Sequence, residues 1–416
     1  MTIFVSVAAY RDPDLGATLE DCVRNARRPG DLRFGVVWQH EAGEPRPSVP
    51  RRAKMSLVEV PWRDSRGACW ARAEAMRLWQ GEEFFLQIDS HHRFVPDWDE
   101  KLLRQAERAG TELPLLTTYA ADFTPGQPLP DPAPTSMRYA SFMREGVPLF
   151  DKDRRPDWSP DDPPVRARCL SAHLLFAPGR FVEDVPYDPD LYFFGEESTL
   201  AVRAFTCGYS LLHPTCHIMW HQNPRRTTPV HWTDHVRQHG VTMTARERDA
   251  EALARARRLL TEGHGGVFGC GTARTLAEYE RYADVDFRRR RIGPSALRGE
   301  EPPPPPSASP HGEPRDWPVQ LVLDRLALPP AALDRPAFWY LTFQDRDGTE
   351  VARQDADRHE LHALLARPGR EIVIERRVRS LRPPTRWTVW PADRRRTWLT
   401  PLSGTIDPLT ADWTRV

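Results

Sequence analysis

"FFLQIDSHHRF", residues 84–94, runs from an apolar stretch into an acid, a serine and two histidines. An apolar run of this length reads as a central strand of a parallel sheet, buried on both faces. Open α/β sheets bind ligands outside the carboxyl ends of their strands, so Asp89, Ser90, His91 and His92 stand where a site would be. A carboxylate and an imidazole two residues apart on extended backbone point the same way, and Asp89 and His91 can therefore reach one divalent ion. By itself the spacing fits a polar loop with solvated histidines better, and context has to decide.

The flanking sequence repeats the pattern of strand and helix. "TIFVSVAAY" (2–10) reads as a first strand, and Leu15, Leu19, Cys22, Val23 and Ala26 then lay one apolar stripe on a helix. "RFGVVWQ" and "SLVEVPW" supply strands two and three, and residues 67–79 a helix. Asp97 and Glu100 form a capping-box-like pair ahead of "WDEKLLRQAERA". This order predicts an α/β domain built on a doubly wound, Rossmann-like nucleotide-binding sheet. Further strands are expected at "LPLLTTYAA" and "RCLSAHLLFA", with a proline-rich loop at 124–136 between them. Thr275 and Glu278 are expected to cap the helix "LAEYERYA".

From Ile292 to Pro318 the composition changes, and five consecutive prolines at 302–306 make a stiff spacer. The expected division is a first domain at 1–291, a linker at 292–318 and a small β-sandwich-like, all-β domain at 319–416. The β-type runs of that last domain are "VQLVLDRLAL", "AFWYLTFQD", "REIVIERRV" and "RWTVWP", with Asp347-Gly348 as a hairpin turn. Asp345-Arg346-Asp347-Gly348 resembles the start of a calcium loop, but no glutamate stands at its twelfth position, so a turn suffices. Trp339, Trp387 and Trp390 are expected in the core of this domain.

A chain of 416 residues is long enough for two domains. Acidic and basic residues balance at 58 each, which leaves no net field to draw the chain to nucleic acid or to an anionic membrane. The six cysteines are scattered without C-x-x-C pairs, as reduced thiols of a cytoplasmic chain would be. The opening "MTIFVSVAAYRDP" lacks a basic n-region, and its apolar run is too short to span a membrane.

Taken together, "IFVSVAAYRDPDL", "SRGACWARAEA", "DSHHRF" followed by "WD", "FFGEESTLAVRAFTCGY" and "GTARTLAEYERY" resemble the GlcNAc-transferase family of the cytoplasmic hydroxyproline polypeptide N-acetylglucosaminyltransferases. The order from "SRGACWARAEA" to "DEKLL" is also similar to the mucin-type polypeptide N-acetylgalactosaminyltransferases. The resemblance covers roughly residues 2–290, with several ordered motifs. It implies a GT-A fold, a nucleotide-sugar donor such as UDP-GlcNAc, Mn²⁺ or Mg²⁺, and retaining transfer to a hydroxyl of a polypeptide.

Carried onto this chain, Asp89 and His91 would be metal ligands, with His221 of "MWHQNPRR" as the third and His217 as its competitor. Gln222, Asn223 and Pro224 follow His221, where the family usually shows an aromatic. Tyr10, Arg11, Asp12 and Ser90 would line the donor site, and Arg66 or Arg72 could balance the diphosphate. Each also has a structural reading: a polar turn for residues 10–12, and a salt bridge from Arg72 to Glu74 or Asp89. Glu196 and Glu197 lie at a helix start, where the dipole favours acids, and in the related transferases an acid here contacts donor sugar or acceptor. "CGTAR" (270–274) is expected to cover the donor pocket. Two other readings stay open, transfer to a small molecule or peptide natural product, and a binding protein without turnover. Tight nucleotide binding with no turnover would mark the latter.

Overall fold

The computed structural model describes residues 1–406 apart from Pro224, 226–227, 307–314, 335, 346–347, 381 and 396. The chain divides into two compact units, residues 1–264 with 273–308, and residues 265–272 with 309–416.

The first unit follows the expected alternation: β1 (Ile3–Tyr10), α1 (Leu15–Asn25), β2 (Leu32–His40), β3 (Lys54–Pro61), α2 (Ala68–Met76) and β4 (Phe84–Asp89). Then come β5 (His92–Phe94), α3 (Trp98–Glu107), β6 (Pro114–Thr117), β7 (Ala121–Phe123), β8 (Thr135–Phe142), β9 (Pro148–Arg154) and β10 (Val165–Arg166). They lead to β11 (Leu174–Pro178), α4 (Phe181–Asp184), α5 (Glu196–Thr206), β12 (Ser210–His213) and β13 (Met219–Gln222). The main sheet has the order β10-β12-β6-β11-β4-β1-β2-β3. Its β3-β2-β1-β4 half is parallel, and β11 runs antiparallel between β4 and β6. The chain builds β2 and β3 on one side of β1 and then crosses to β4 on the other, so the carboxyl ends of β1 and β4 flank a topological switch point. Ala8 pairs with Asp89 there.

The opening stretch does not stay in one sheet. β4 ends at Asp89, the chain turns through Ser90 and His91, and β5 joins a second sheet in the order β5-β13-β7. Thr18 on α1 fixes this turn, since its hydroxyl accepts the His92 amide at 2.9 Å and lies 3.3 Å from the His92 carbonyl. In β13, His221 pairs with His92 on one side and Asp122 on the other. The turn and the second sheet thus set three polar side chains against the end of β4.

Gly67 opens α2 with φ +106, and a Cβ there would meet the Tyr192 ring at 2.4 Å. Only glycine suits that backbone and that contact. Asp97 precedes α3 in the left-handed region and caps nothing. The expected pairing with Glu100 is therefore not formed, and the neighbouring Asp99 instead accepts the amides of Arg27 and Arg28 at 2.7 and 2.9 Å. Thr275 and Glu278 do form their capping box. Residues that composition assigns to the spacer are partly fastened to this unit. Ser295 donates to Asp284 at 2.5 Å, and Glu301 pairs with Arg166 at 2.9 Å. Residues 307–314 of the proline-rich stretch lie outside the described residues. No helix among the described residues is long and apolar enough to cross a membrane.

The second unit rests on two small antiparallel sheets. Arg315–Asp324 pairs with Glu371–Ser380, and Phe338–Gln344 lies between Glu350–Arg353 and Arg386–Ala392, with Leu402–Thr405 at the edge. The hairpin joining Phe338–Gln344 to Glu350–Arg353 turns where Asp347-Gly348 was expected, with Asp347 itself outside the described residues. The unit also carries a helix, Arg358–Leu365, whose first turn is capped by Asp357. Trp339 and Trp387 are core residues, whereas Trp390 is 41% exposed. On a strand, residues three apart face opposite sides, so Trp387 and Trp390 cannot both point inward.

Candidate active site

Asp89, His91 and His221 converge at the switch point, with one ligand atom from each lying within 4.8 Å of the others. The two Nε2 atoms are 3.0 Å apart, and the Asp89 Oδ2 lies 3.8 Å from that of His91 and 3.4 Å from that of His221. Two imidazole nitrogens at this separation repel unless a proton or a cation lies between their lone pairs. The His91 ring is oriented by Asp12, whose Oδ2 lies 2.8 Å from its Nδ1. In the tautomer that carries its proton on Nδ1, this bond turns the Nε2 lone pair into the cluster, as outer carboxylates do for metal-bound histidines. One carboxylate oxygen and two neutral imidazoles suit a divalent cation such as Mn²⁺. The competitor His217 gives its Nδ1 to the Ala133 carbonyl and packs on Trp220, outside the cluster.

Asp12 is a buried hub. Its Oδ2 also accepts from Ser90 at 2.6 Å and from Arg225 at 3.0 Å. Burial pushes its carboxyl up, but the bond to His91, the charge of Arg225 and the Ser90 hydroxyl outweigh that and hold it below the usual range. Its side chain therefore positions His91 and stands behind the three-residue cluster. Asp12→Ala is expected to weaken Mn²⁺ binding about 10- to 100-fold, the usual cost of losing such an outer partner. Calorimetric titration with Mn²⁺ reads it directly, and an unchanged affinity would mean that His91 needs no orienting.

Arg72 projects from α2 and bridges Asp89, at 2.5 Å, to Glu196 at the start of α5. Burial pulls the guanidinium down, yet Glu196 first and then Tyr187 and Asp89 hold it well above the usual value. In turn burial pushes Asp89 up, and Arg72 followed by the histidines keeps it well below the carboxylate range. Arg72 is thus committed to two acids, one of which is the Asp89 partner anticipated from sequence. Arg66 is half exposed, pairs with Asp190 at 3.6 Å and lines neither cavity beside the cluster. Arg11, with φ +46, turns its guanidinium to Asp234 at 2.8 Å and over the Trp62 ring. Neither lines a cavity beside the cluster, and Tyr10 alone of residues 10–12 does.

Two cavities meet at the cluster, sharing Arg72, Asp89, Phe193, His221 and Asn223. One, of about 340 Å³, extends toward Tyr10, Gln39, Arg225 and His231. The other, of about 480 Å³, extends toward Glu197, Tyr119, His173 and Phe150. Glu197 faces the second cavity. Its Oε2 accepts from Tyr119 and its Oε1 from the Ala172 amide at 2.9 Å. Burial pushes this carboxyl up to about 7, against those two hydrogen bonds. Tyr119, His173 and His221 form a ladder of rings, 5.2 and 4.4 Å apart, that joins Glu197 to the Asp89–His91–His221 cluster. Arg225, Tyr119, His173 and His231 were not read from the sequence, since nothing in their local pattern marks them and their partners are set by the fold. Arg274 of "CGTAR" gives its guanidinium to the carbonyls of Phe205 and Tyr209, at the end of α5 opposite the two acids. It does not line either cavity.

The sequence matches the family described as Glycosyltransferase (GlcNAc) in two overlapping stretches, residues 2–54 and 44–289. The chain belongs to this glycosyltransferase family. No curated protein sequence matches it. Among solved structures it is similar to GalNAc-T7 with UDP, GalNAc and Mn²⁺, at 13% identity and a TM-score of 0.39, over 53% of this chain and 44% of that one. It is likewise similar to S. aureus TarS 1–349 in complex with UDP-GlcNAc, at 13% identity and a TM-score of 0.35, over 55% of this chain and 60% of that one. Likenesses this loose carry nothing about donor, metal or acceptor. The α/β architecture with added small sheets stands on the strand order described above.

Proposed function

We propose that this glycosyltransferase has a GT-A-type site that binds a divalent cation and a UDP-sugar, UDP-GlcNAc by the family's description, and transfers the sugar with retention to a polypeptide hydroxyl. The observation that carries the reading is the Asp89–His91–His221 cluster, oriented by Asp12 and set at the junction of two cavities. The nucleotide belongs on the Tyr10 side and the acceptor on the Glu197 side. A divalent cation held by the cluster would supply positive charge against the leaving diphosphate. Arg225, whose Nε lacks a partner among the described residues, offers a second positive group on the nucleotide side. Arg72 keeps Asp89 ionised and aimed at the cluster. Glu197 orients the acceptor hydroxyl, and the leaving diphosphate oxygen takes its proton. All six cysteines are thiols, which supports a reducing, cytoplasmic setting.

Release of free UDP from a panel of UDP-sugars, with Mn²⁺ and with chelator, tests this without knowledge of the acceptor. Metal-dependent release from UDP-GlcNAc is the expected result. Failure of the chain to bind or cleave any UDP-sugar would refute the reading.

A further inference from the structure

In the wall of the nucleotide-side cavity stands an imidazole that holds nothing. His231 is 5% exposed, and among the described residues neither of its ring nitrogens has a hydrogen-bond partner. Buried polar atoms are almost always paired, and leaving both a donor and an acceptor unmet is costly. The ring is enclosed by aromatic neighbours, with Tyr192 at 4.6 Å, Trp232 at 5.0 Å, and Tyr10 and Phe193 at 5.8 Å between centroids. Their hydroxyls are already engaged. Tyr192 is bonded to His235 Nδ1 at 3.0 Å, and Tyr10 donates to Asp234 at 3.2 Å.

Burial pulls the His231 ring down to about 3, with the neighbouring His235, Arg72 and Arg225 adding to the effect. At neutral pH the ring therefore offers one donor and one acceptor and no charge. Diphosphate oxygens only accept, so they can meet the ring N–H but not the bare nitrogen. A ribose hydroxyl, or the imide edge of a uracil, both donates and accepts. We propose that His231 hydrogen-bonds the nucleoside of the donor through a group that both donates and accepts, leaving the diphosphate to the cation cluster and Arg225. The inference rests on the reading of this cavity as the nucleotide pocket.

The test is calorimetric titration of the full chain, in Mn²⁺, with UDP, UMP and pyrophosphate. His231→Phe is expected to weaken UDP and UMP by the same factor, about 10- to 100-fold for a buried hydrogen-bonded pair, and to leave pyrophosphate unchanged. His231→Gln, which keeps a donor and an acceptor, should recover most of the loss. UDP analogues lacking a ribose hydroxyl or methylated at uracil N3 read the same contact on the unaltered chain, and one of the two should bind more weakly by that factor. Wild-type affinity for UDP in a folded His231→Phe, a loss that extends to pyrophosphate, or undiminished binding of both analogues would each overturn the inference. If the unaltered chain binds no UDP, the nucleotide-pocket reading falls and this one with it. UDP binding that survives His231→Phe removes His231 alone.

Discussion

Asp89→Asn is expected to lower metal-dependent release of UDP by on the order of 10³-fold or more, because it removes the one carboxylate of the cation cluster along with much of the charge balance around the leaving group. The amide keeps the volume of the side chain but cannot serve as an anionic ligand. It also leaves Arg72 paired only with Glu196. Since that partner remains, the guanidinium is not stranded, and the α/β unit should still fold. The sign of the stability change follows from the depressed carboxyl of Asp89. Such a group stabilises the fold above its unfolded value and loses that contribution as pH falls through its folded value. Asp89→Asn should therefore be less stable than the wild type near neutral pH, with the gap closing in acid. Mn²⁺ affinity, UDP release and thermal midpoint on one preparation separate the effects. Metal-dependent turnover at the wild-type rate would remove Asp89 from the site.

The convergence of Asp89 and His91 could be located from sequence because the two residues are local. A strand followed at once by Asp-Ser-His fixes two side chains at the carboxyl edge of a sheet, whatever the rest of the chain does. His221 needed the family resemblance, since β13 meets β5 only through the second sheet. The choice of partner by each arginine was not legible. Arg66, Arg72 and Arg11 carry the same charge on long side chains, and only packing decides that Arg72 reaches Asp89 while Arg11 reaches Asp234. Asp12 read as a donor contact because it follows the first strand. The left-handed turn at Arg11 carries it to the Nδ1 of His91, a contact that composition does not reveal. Asp97 failed as a cap for a similar reason, since its backbone adopts a left-handed conformation that composition does not reveal. Trp390, by contrast, was readable and misassigned, because the period of a strand separates it from Trp387.

Glu197→Gln is expected to lower acceptor-dependent transfer by roughly 10²-fold, as loss of an orienting carboxylate would. The wild-type pH profile should carry the signature of this group. With its carboxyl pushed up to about 7, Glu197 is protonated below that pH and ionised above it. The ionised form can accept a hydrogen bond from an incoming hydroxyl, so kcat/KM for the acceptor should rise through about pH 7 and then level. Glu197→Gln should be flat over the same range. Stability runs the opposite way. Between about 4.5, where the unfolded carboxyl titrates, and about 7, the folded chain holds a proton that the unfolded chain has released. Stability contributed by this group therefore falls as pH rises across that window, and the glutamine variant should lack the slope. Tyr119→Phe supplies the decisive control. The Tyr119 hydroxyl donates to Glu197 and favours its ionised form, so removing it should move the kinetic inflection above 7 without abolishing it. An inflection that persists unchanged in both variants would assign it to another group. A rate that falls as pH rises through 7 would mean that the protonated carboxyl is the working form.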